Sequence, residues 1–168
     1  MPEKQTLARA RADKRQGKAA STQAGEFIKE QMDHIREGVH GARSTKQAIA
    51  IGLSEARRAG VDLPPPAAGK TSVATRKRAA RDSARGHGVP ARQRTTARRS
   101  RASLNALKRE GREAASPGAL ARQARDAASS RSAEERSRSA QRAVRTKGAV
   151  GRSAAARKAA HTRSIHAR

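Results

Sequence analysis

Basic residues recur along this sequence in clusters that suit one kind of chemistry, the neutralisation of phosphates. They run Arg76-Lys77-Arg78, Arg81, Arg85, Arg92, Arg94, Arg98-Arg99, Arg101, Lys108-Arg109 and Arg112. Arg138, Arg142 and Arg145 follow at i, i+4 and i+7, along one side of a helix. Arginine outnumbers lysine 29 to 10. A guanidinium forks phosphate oxygens in bidentate fashion, whereas an ammonium acts as a point charge. A GC-rich genome would also enrich arginine and alanine, and the two explanations are compatible. Cations that neutralise phosphates release condensed counterions. Engaging about 8 phosphates gives a salt slope near −7 and costs roughly 10⁴ in affinity between 50 and 200 mM salt. The chain has one Phe and no Trp or Tyr, so it offers no stacking platform for single-stranded bases. The expected contacts are with duplex backbone or structured RNA, and no helix carries a convincing base-reading set.

Other chemistries find little support. No cysteine is present, which excludes disulfides and thiolate metal sites. Gly69-Lys70-Thr71 ends like a phosphate-binding loop, but Pro64 stands where that motif needs its first glycine. His34, His40, His87, His161 and His166 show no metal-ligand spacing in sequence, and no Ser–His–Asp arrangement can be argued without a pocket-forming core. Arg-Ser pairs such as Ser130-Arg131-Ser132 are too few to make a splicing-factor repeat. Glu26, Glu30, Asp33 and Glu37 fall at i, i+4, i+7 and i+11, a carboxylate stripe within a chain of net charge +25. A solvated outer face is its plainest reading, and a dock for the basic tail is the alternative. A metal site is not expected there, because no histidine joins the stripe and no second helix matches it. The expectation is therefore a protein that is not an enzyme and takes no cofactor, metal or small-molecule substrate.

The elements that would carry these residues divide at Pro64-Pro65-Pro66. Residues 1–64 hold 12 basic and 8 acidic side chains, so most of the charge lies beyond the prolines. Residues 1–63 read as a small helical head, 64–74 as a linker, and 75–168 as an Arg/Ala/Ser-rich basic tail. Within the head, Ile28, Met32, Ile35 and Val39 make one stripe of a helix opened by Ser21 or Thr22 and closed at Gly38. Ser44-Thr45-Lys46-Gln47 is a capping box for a helix ending near Ala59, with Gly60 and Val61 placed for a Schellman cap. Ala48, Ile49, Gly52, Leu53 and Ala56 form its apolar face, where small residues let another helix approach closely. Ile51 reads as an exposed singleton. Thr6 to Arg15 suggests a further short helix. The candidate core is Leu7, Phe27, Ile28, Met32, Ile35, Val39, Ile49, Leu53, Val61 and Leu63. So small a core makes dimerisation through the head, or folding on a partner, an expectation.

Only 35% of the chain is apolar, and the tail's large aliphatics are scattered. Such a segment cannot offset the entropy of ordering its backbone. The predicted fold is mostly α: a helical hairpin or three-helix head, then a largely disordered tail with latent helices. Ser116-Pro117 marks one latent helix running to Ala128. Ser132-Ala133-Glu134-Glu135 is a second capping box, ahead of a helix reaching about Thr146 before Gly148. No run approaches a membrane span and no signal peptide is visible, so a cytoplasmic or nucleoid location is expected.

The segment Ser44 to Gly60, STKQAIAIGLSEARRAG, together with Ser21 to Phe27, resembles a group of small basic bacterial proteins catalogued only as a domain of unknown function. The resemblance covers about residues 1–66 and implies a bacterial setting without an activity. The tail is similar in composition to histone-like tails. The reading that unites these features is nonspecific binding of nucleic acid, DNA favoured over RNA, by a nucleoid-associated protein. Lys46, Arg57 and Arg58 would add head contacts. The alternative is an RNA- or ribosome-associated factor whose head is a protein-interaction module.

Overall fold

The computed structural model describes residues 2–90 and 96–166. Among these, seven α-helices and one 3₁₀ turn form, and no strand. The helices are α1 (Lys4–Arg15), α2 (Ala20–Glu37), α3 (Thr45–Arg58), α4 (Val73–Gly86), α5 (Ala97–Arg109), α6 (Pro117–Ser129) and α7 (Ala133–His166), with the turn at Glu113–Ala115. None of the described helices is long and apolar enough to cross a membrane. The chain forms two compact units, residues 1–123 and 124–168.

Local signals set most helix ends. Gly38 takes φ +80; its N–H donates to the Ile35 carbonyl at 3.2 Å and that of Val39 to His34 at 2.9 Å. Those two bonds are the Schellman pair. The same pair closes α3, where Gly60 donates to Arg57 and Val61 to Ala56, each at 3.0 Å. Ser44 Oγ accepts from the Gln47 N–H at 3.2 Å. The Gln47 side chain reaches the Arg43 N–H at 2.9 Å, one residue short of the reciprocal bond the capping box predicts. Helix α2 begins at Ala20, before the predicted caps Ser21 and Thr22, and no side chain caps it.

Two apolar clusters hold the first unit together. One joins Ala10 of α1 and Ala24 and Phe27 of α2 to Ala56 and Val61, with Leu7, Ala20, Leu53 and Leu63 against it. The other gathers Met32, Ile35, Ala42, Ala48, Ala114 and Ala115, flanked by Ile28, Ile49 and Leu120. At the crossing of α2 and α3, a Cβ on Gly52 would lie 2.8 Å from Ile28 Cα. Of the predicted core, Val39 is the exception: it is half exposed, because the left-handed turn at Gly38 carries it off the buried stripe. Ile51, expected to be exposed, is half buried.

The segment beyond the prolines differs from the disordered tail that composition predicts. Helix α4 starts at Ser72, whose Oγ accepts from the Thr75 N–H at 3.2 Å. It packs along α3, burying Ala79, and the Ser83 hydroxyl donates to the Leu63 carbonyl at 3.2 Å. Further on, residues 107–115 form a strap over the α2–α3 loop. The Gly41 N–H donates to the Leu107 carbonyl at 2.9 Å and the Ala42 N–H to Gly111 at 3.2 Å. The Thr45 hydroxyl donates to the Ala114 carbonyl at 2.7 Å, and Arg36 Nε to Ala115 at 3.2 Å. The physical reason for the order is that two alanines and main-chain hydrogen bonds do what composition assigns to large aliphatics. A methyl group fits a groove between two helices, and the strap's carbonyls at Leu107, Gly111, Ala114 and Ala115 each accept a hydrogen bond.

Helix α6 opens as the sequence predicts: Ser116 Oγ accepts from the Ala119 N–H at 3.2 Å, with Pro117 in the first turn. Helix α7 opens on a complete capping box. The Glu135 N–H donates to Ser132 Oγ at 3.1 Å, and the Ser132 N–H donates to the Glu135 carboxylate at 2.9 Å. The helix breaks at Gly148, with φ 62 and ψ −178, close to the predicted stop, and resumes to His166. That second stretch falls in the tail expected to be largely disordered. Replacing Ser132 with Ala is expected to cost α7 about 1 kcal/mol. Far-ultraviolet circular dichroism of the full chain should show the lost helix.

Candidate nucleic-acid interface

Helix α4 has one side against α3 and the other in solvent. Arg76, Lys77, Arg78, Arg81 and Arg85 are all exposed. None of them pairs with a carboxylate among the described residues. Arg78, Arg81 and Arg85 stand at i, i+3 and i+7, a row on one face. Helix α5 presents Arg98, Arg99, Arg101, Lys108 and Arg109, also exposed, and buries no residue of its own. Its carboxyl end is held by the Leu107 carbonyl on Gly41 and by Glu110 opposite Arg43 at 3.8 Å. Like charges on one helix repel unless anions come between them. Unpaired cations on a docked helix, and on a second helix held at one end, are therefore a poor arrangement in isolation and a good one against a polyphosphate.

The remaining predicted contacts divide. Lys46 and Arg58 are exposed near opposite ends of α3. Arg57 is not available: it is buried, and its guanidinium Nη2 donates to the Pro64 carbonyl at 3.3 Å. Burial lowers its pKa, opposed by the charge of Asp82. Arg57 clamps the proline run to α3 instead of meeting a ligand. Arg112 lies over Gly38, where a cation complements the negative pole of α2. Arg92 and Arg94 lie outside the described residues. In the second unit Arg138 pairs with Glu134, while Arg142 and Arg145 are exposed.

The acidic stripe is neither wholly solvated nor docked by described tail residues. Glu26 pairs with Arg9 of α1 at 2.6 Å. Asp33 meets Lys29 at 2.6 Å and Arg36 at 3.4 Å, and the hydrogen bond from Lys29 lowers its pKa. Glu30 is buried beneath Glu3, whose N–H donates to it at 2.8 Å. Its first half, Glu26 and Glu30, thus meets α1 and the residue before it, while Asp33 pairs within α2 and Glu37 is exposed. Sequence reasoning also missed a juxtaposition there: Glu3, Glu30 and His34 each place one ligand atom within 4.8 Å of the others. The available signal was His34 at i+4 from Glu30.

The cationic face of α4 is tied to the head by a titratable pair. His87 Nε2 is 2.7 Å from Asp62 Oδ1, and His87 Nδ1 is 2.8 Å from the Ser83 carbonyl. The Ser83 carbonyl and then Asp62 raise the imidazole pKa above its ordinary 6.5. His87 and then Lys14 hold the Asp62 carboxyl below 3.8. A raised histidine stabilises the fold below its unfolded pKa, and that contribution fades as pH rises through the folded value. A depressed aspartate stabilises above its unfolded pKa and fades as pH falls. The pair is complete between about pH 4 and 6.5. Amides of α4 should exchange more slowly at about pH 5.5 than at about pH 8, after correction for intrinsic rates, and His87→Gln should remove the difference.

No curated protein and no solved structure matches the chain. The helices α2 and α3, the Gly38 and Gly60 turns and the proline run lie within one recognisable block: residues 11–67 match the model of DUF6496, a family of unknown function.

Proposed function

We propose that this is a nonspecific nucleic-acid-binding protein of the histone-like, nucleoid-associated kind, a binder and not an enzyme. It grips duplex DNA by its phosphates, with α4 and α5 as the first gripping surface. The exposed, unpaired cation row of α4, packed on α3 with Ala79 buried and tied by Ser83 to the Leu63 carbonyl, carries this reading. Docking the helix holds its guanidinium groups at helical spacing before the ligand arrives, which reduces the ordering cost of binding. Arg142 and Arg145 add contacts from α7. The scarcity of aromatic side chains favours backbone contact over base stacking.

Fluorescence anisotropy of the full chain with labelled duplex DNA, across a salt series, tests the reading. Binding is expected to weaken steeply with salt and to vary little with sequence. No binding at about 50 mM salt would overturn it. Co-sedimentation with ribosomes that resists duplex competitor would move the assignment to RNA.

A further inference from the structure

Glu3, Glu30 and His34 lie together on the side of the head away from any role in the phosphate reading. Glu30 and His34 are one turn apart on α2, and Glu3 is the residue that precedes α1. One carboxylate oxygen from each glutamate and one imidazole nitrogen lie within 4.8 Å of one another. His34 Nε2 is 3.2 Å from Glu3 Oε1. Ligand atoms bound at about 2.1 Å to one ion stand roughly 3.0–3.4 Å apart in octahedral or tetrahedral shells. That edge of a coordination shell is already formed.

A second observation concerns Glu30 alone. Only 5% of it is exposed, and its Oε2 is sealed from solvent without a hydrogen-bond partner. Its other oxygen accepts the Glu3 N–H. An unpartnered, ionised oxygen in the interior is costly unless a proton or a cation meets it. Charge nearby makes the need greater. The Gln31 amide bridges to Glu55 at 2.8 Å. That glutamate's pKa is raised, first by burial; the amino terminus opposes the rise, the negative charge of Glu30 adds to it, and Arg58 and His34 oppose it. Two carboxylates and one imidazole therefore converge at this corner, one of the carboxylates with an oxygen that lacks a partner.

We propose that Glu3, Glu30 and His34 bind one divalent transition-metal ion of the zinc class. Two carboxylates and one imidazole suit Zn²⁺, which takes oxygen and nitrogen donors in small shells and keeps water on its open positions. The ion takes the place of the direct contact between His34 and Glu3. It joins the residue before α1 to the middle of α2, across an interface whose only large apolar side chain from α1 is Leu7. The site is structural in consequence: it fastens the first helix to the head.

The test uses the full chain, stripped with a chelator, and Zn²⁺ titrated in by calorimetry and in competition with a chromophoric chelator. One ion per chain is expected, together with a rise in thermal midpoint that the metal-free protein lacks. Glu30→Gln and, separately, the less buried Glu3→Gln and His34→Gln should each weaken zinc at least about tenfold. Circular dichroism checks that each variant stays helical. Glu30→Gln removes a buried charge and could alter the fold, so the other two variants decide the case. Absence of one-to-one binding overturns the proposal. So does binding unchanged in both Glu3→Gln and His34→Gln, which would place the ion on the other histidines. Neither result bears on DNA binding, and loss of DNA binding leaves this site untouched.

Discussion

Neutralising the α4 row as Lys77→Gln, Arg78→Gln, Arg81→Gln and Arg85→Gln is expected to flatten the salt dependence of duplex binding. Each phosphate contact contributes about 0.9 to the slope of log affinity against log salt. Four lost contacts should reduce the slope by about 3 to 4 and weaken binding roughly 10²–10⁴-fold at about 100 mM salt. The side chains point to solvent, so the helix should stay docked through Ala79 and Ser83. Replacing Arg57 serves as the contrasting case. Its guanidinium holds the Pro64 carbonyl, so Arg57→Gln should lower stability and leave the salt slope of the folded protein unchanged. An unaltered slope in the fourfold variant would remove α4 from the interface and leave α5 and α7 to carry it.

The second large effect belongs to Gly52. Its backbone lies so near α2 that an added Cβ would meet Ile28 Cα at 2.8 Å and its N at 3.0 Å. Neither atom can move away as the end of a flexible side chain would. Gly52→Val therefore has to separate the two helices, and both apolar clusters lie along that seam. Glycine to a larger residue gains some helix propensity, about 0.5–1 kcal/mol for alanine, but the overpacking outweighs it. The expected loss is about 3 kcal/mol or more. Thermal denaturation followed by circular dichroism should show a midpoint lower by about 10 °C. A midpoint equal to that of the unaltered protein would mean that the two helices do not cross as described.

These two sites differ in how legible they are from sequence. The close approach at Gly52 announces itself, because Ala48, Gly52 and Ala56 repeat at helical spacing beside Ile49 and Leu53. The turns at Gly38 and Gly60, the caps at Ser44, Ser116 and Ser132, and the stop near Gly148 are equally local. Each depends on residues within five positions of one another, which is the range over which side-chain chemistry competes with the backbone. Ser72 and Gly88 punctuate helix α4 in the same way, but Ser72 stands within the 64–74 segment that the proline run marks as a linker.

The strap has no comparable signature. Ala114 and Ala115 look like any other alanines in an Ala/Arg/Ser text. What makes them core residues is a groove supplied by Ile35, Ala42 and Ala48 far earlier in the chain. Arg57 turns inward for a related reason. It follows the buried Ala56 and stands four residues after Leu53, at the edge of the apolar face, so its inward turn was open to inference. Charge alone suggested solvent. The carboxylate stripe is visible as a pattern, but the seating of Glu26 and Glu30 depends on Arg9 of α1 and on Glu3 just before it.

The strap also sets an order of events during synthesis. Thr45 finds its acceptor at Ala114, 69 residues later. At translation rates of about 5–20 residues per second, roughly 3–14 s separate the two groups as they leave the ribosome. Throughout that interval Met32 and Ile35 lack the alanines that cover them, and the basic residues from 76 onward emerge beside ribosomal RNA. A nascent head that is complete in its own helices is therefore still open on one side while its most cationic segment is being made.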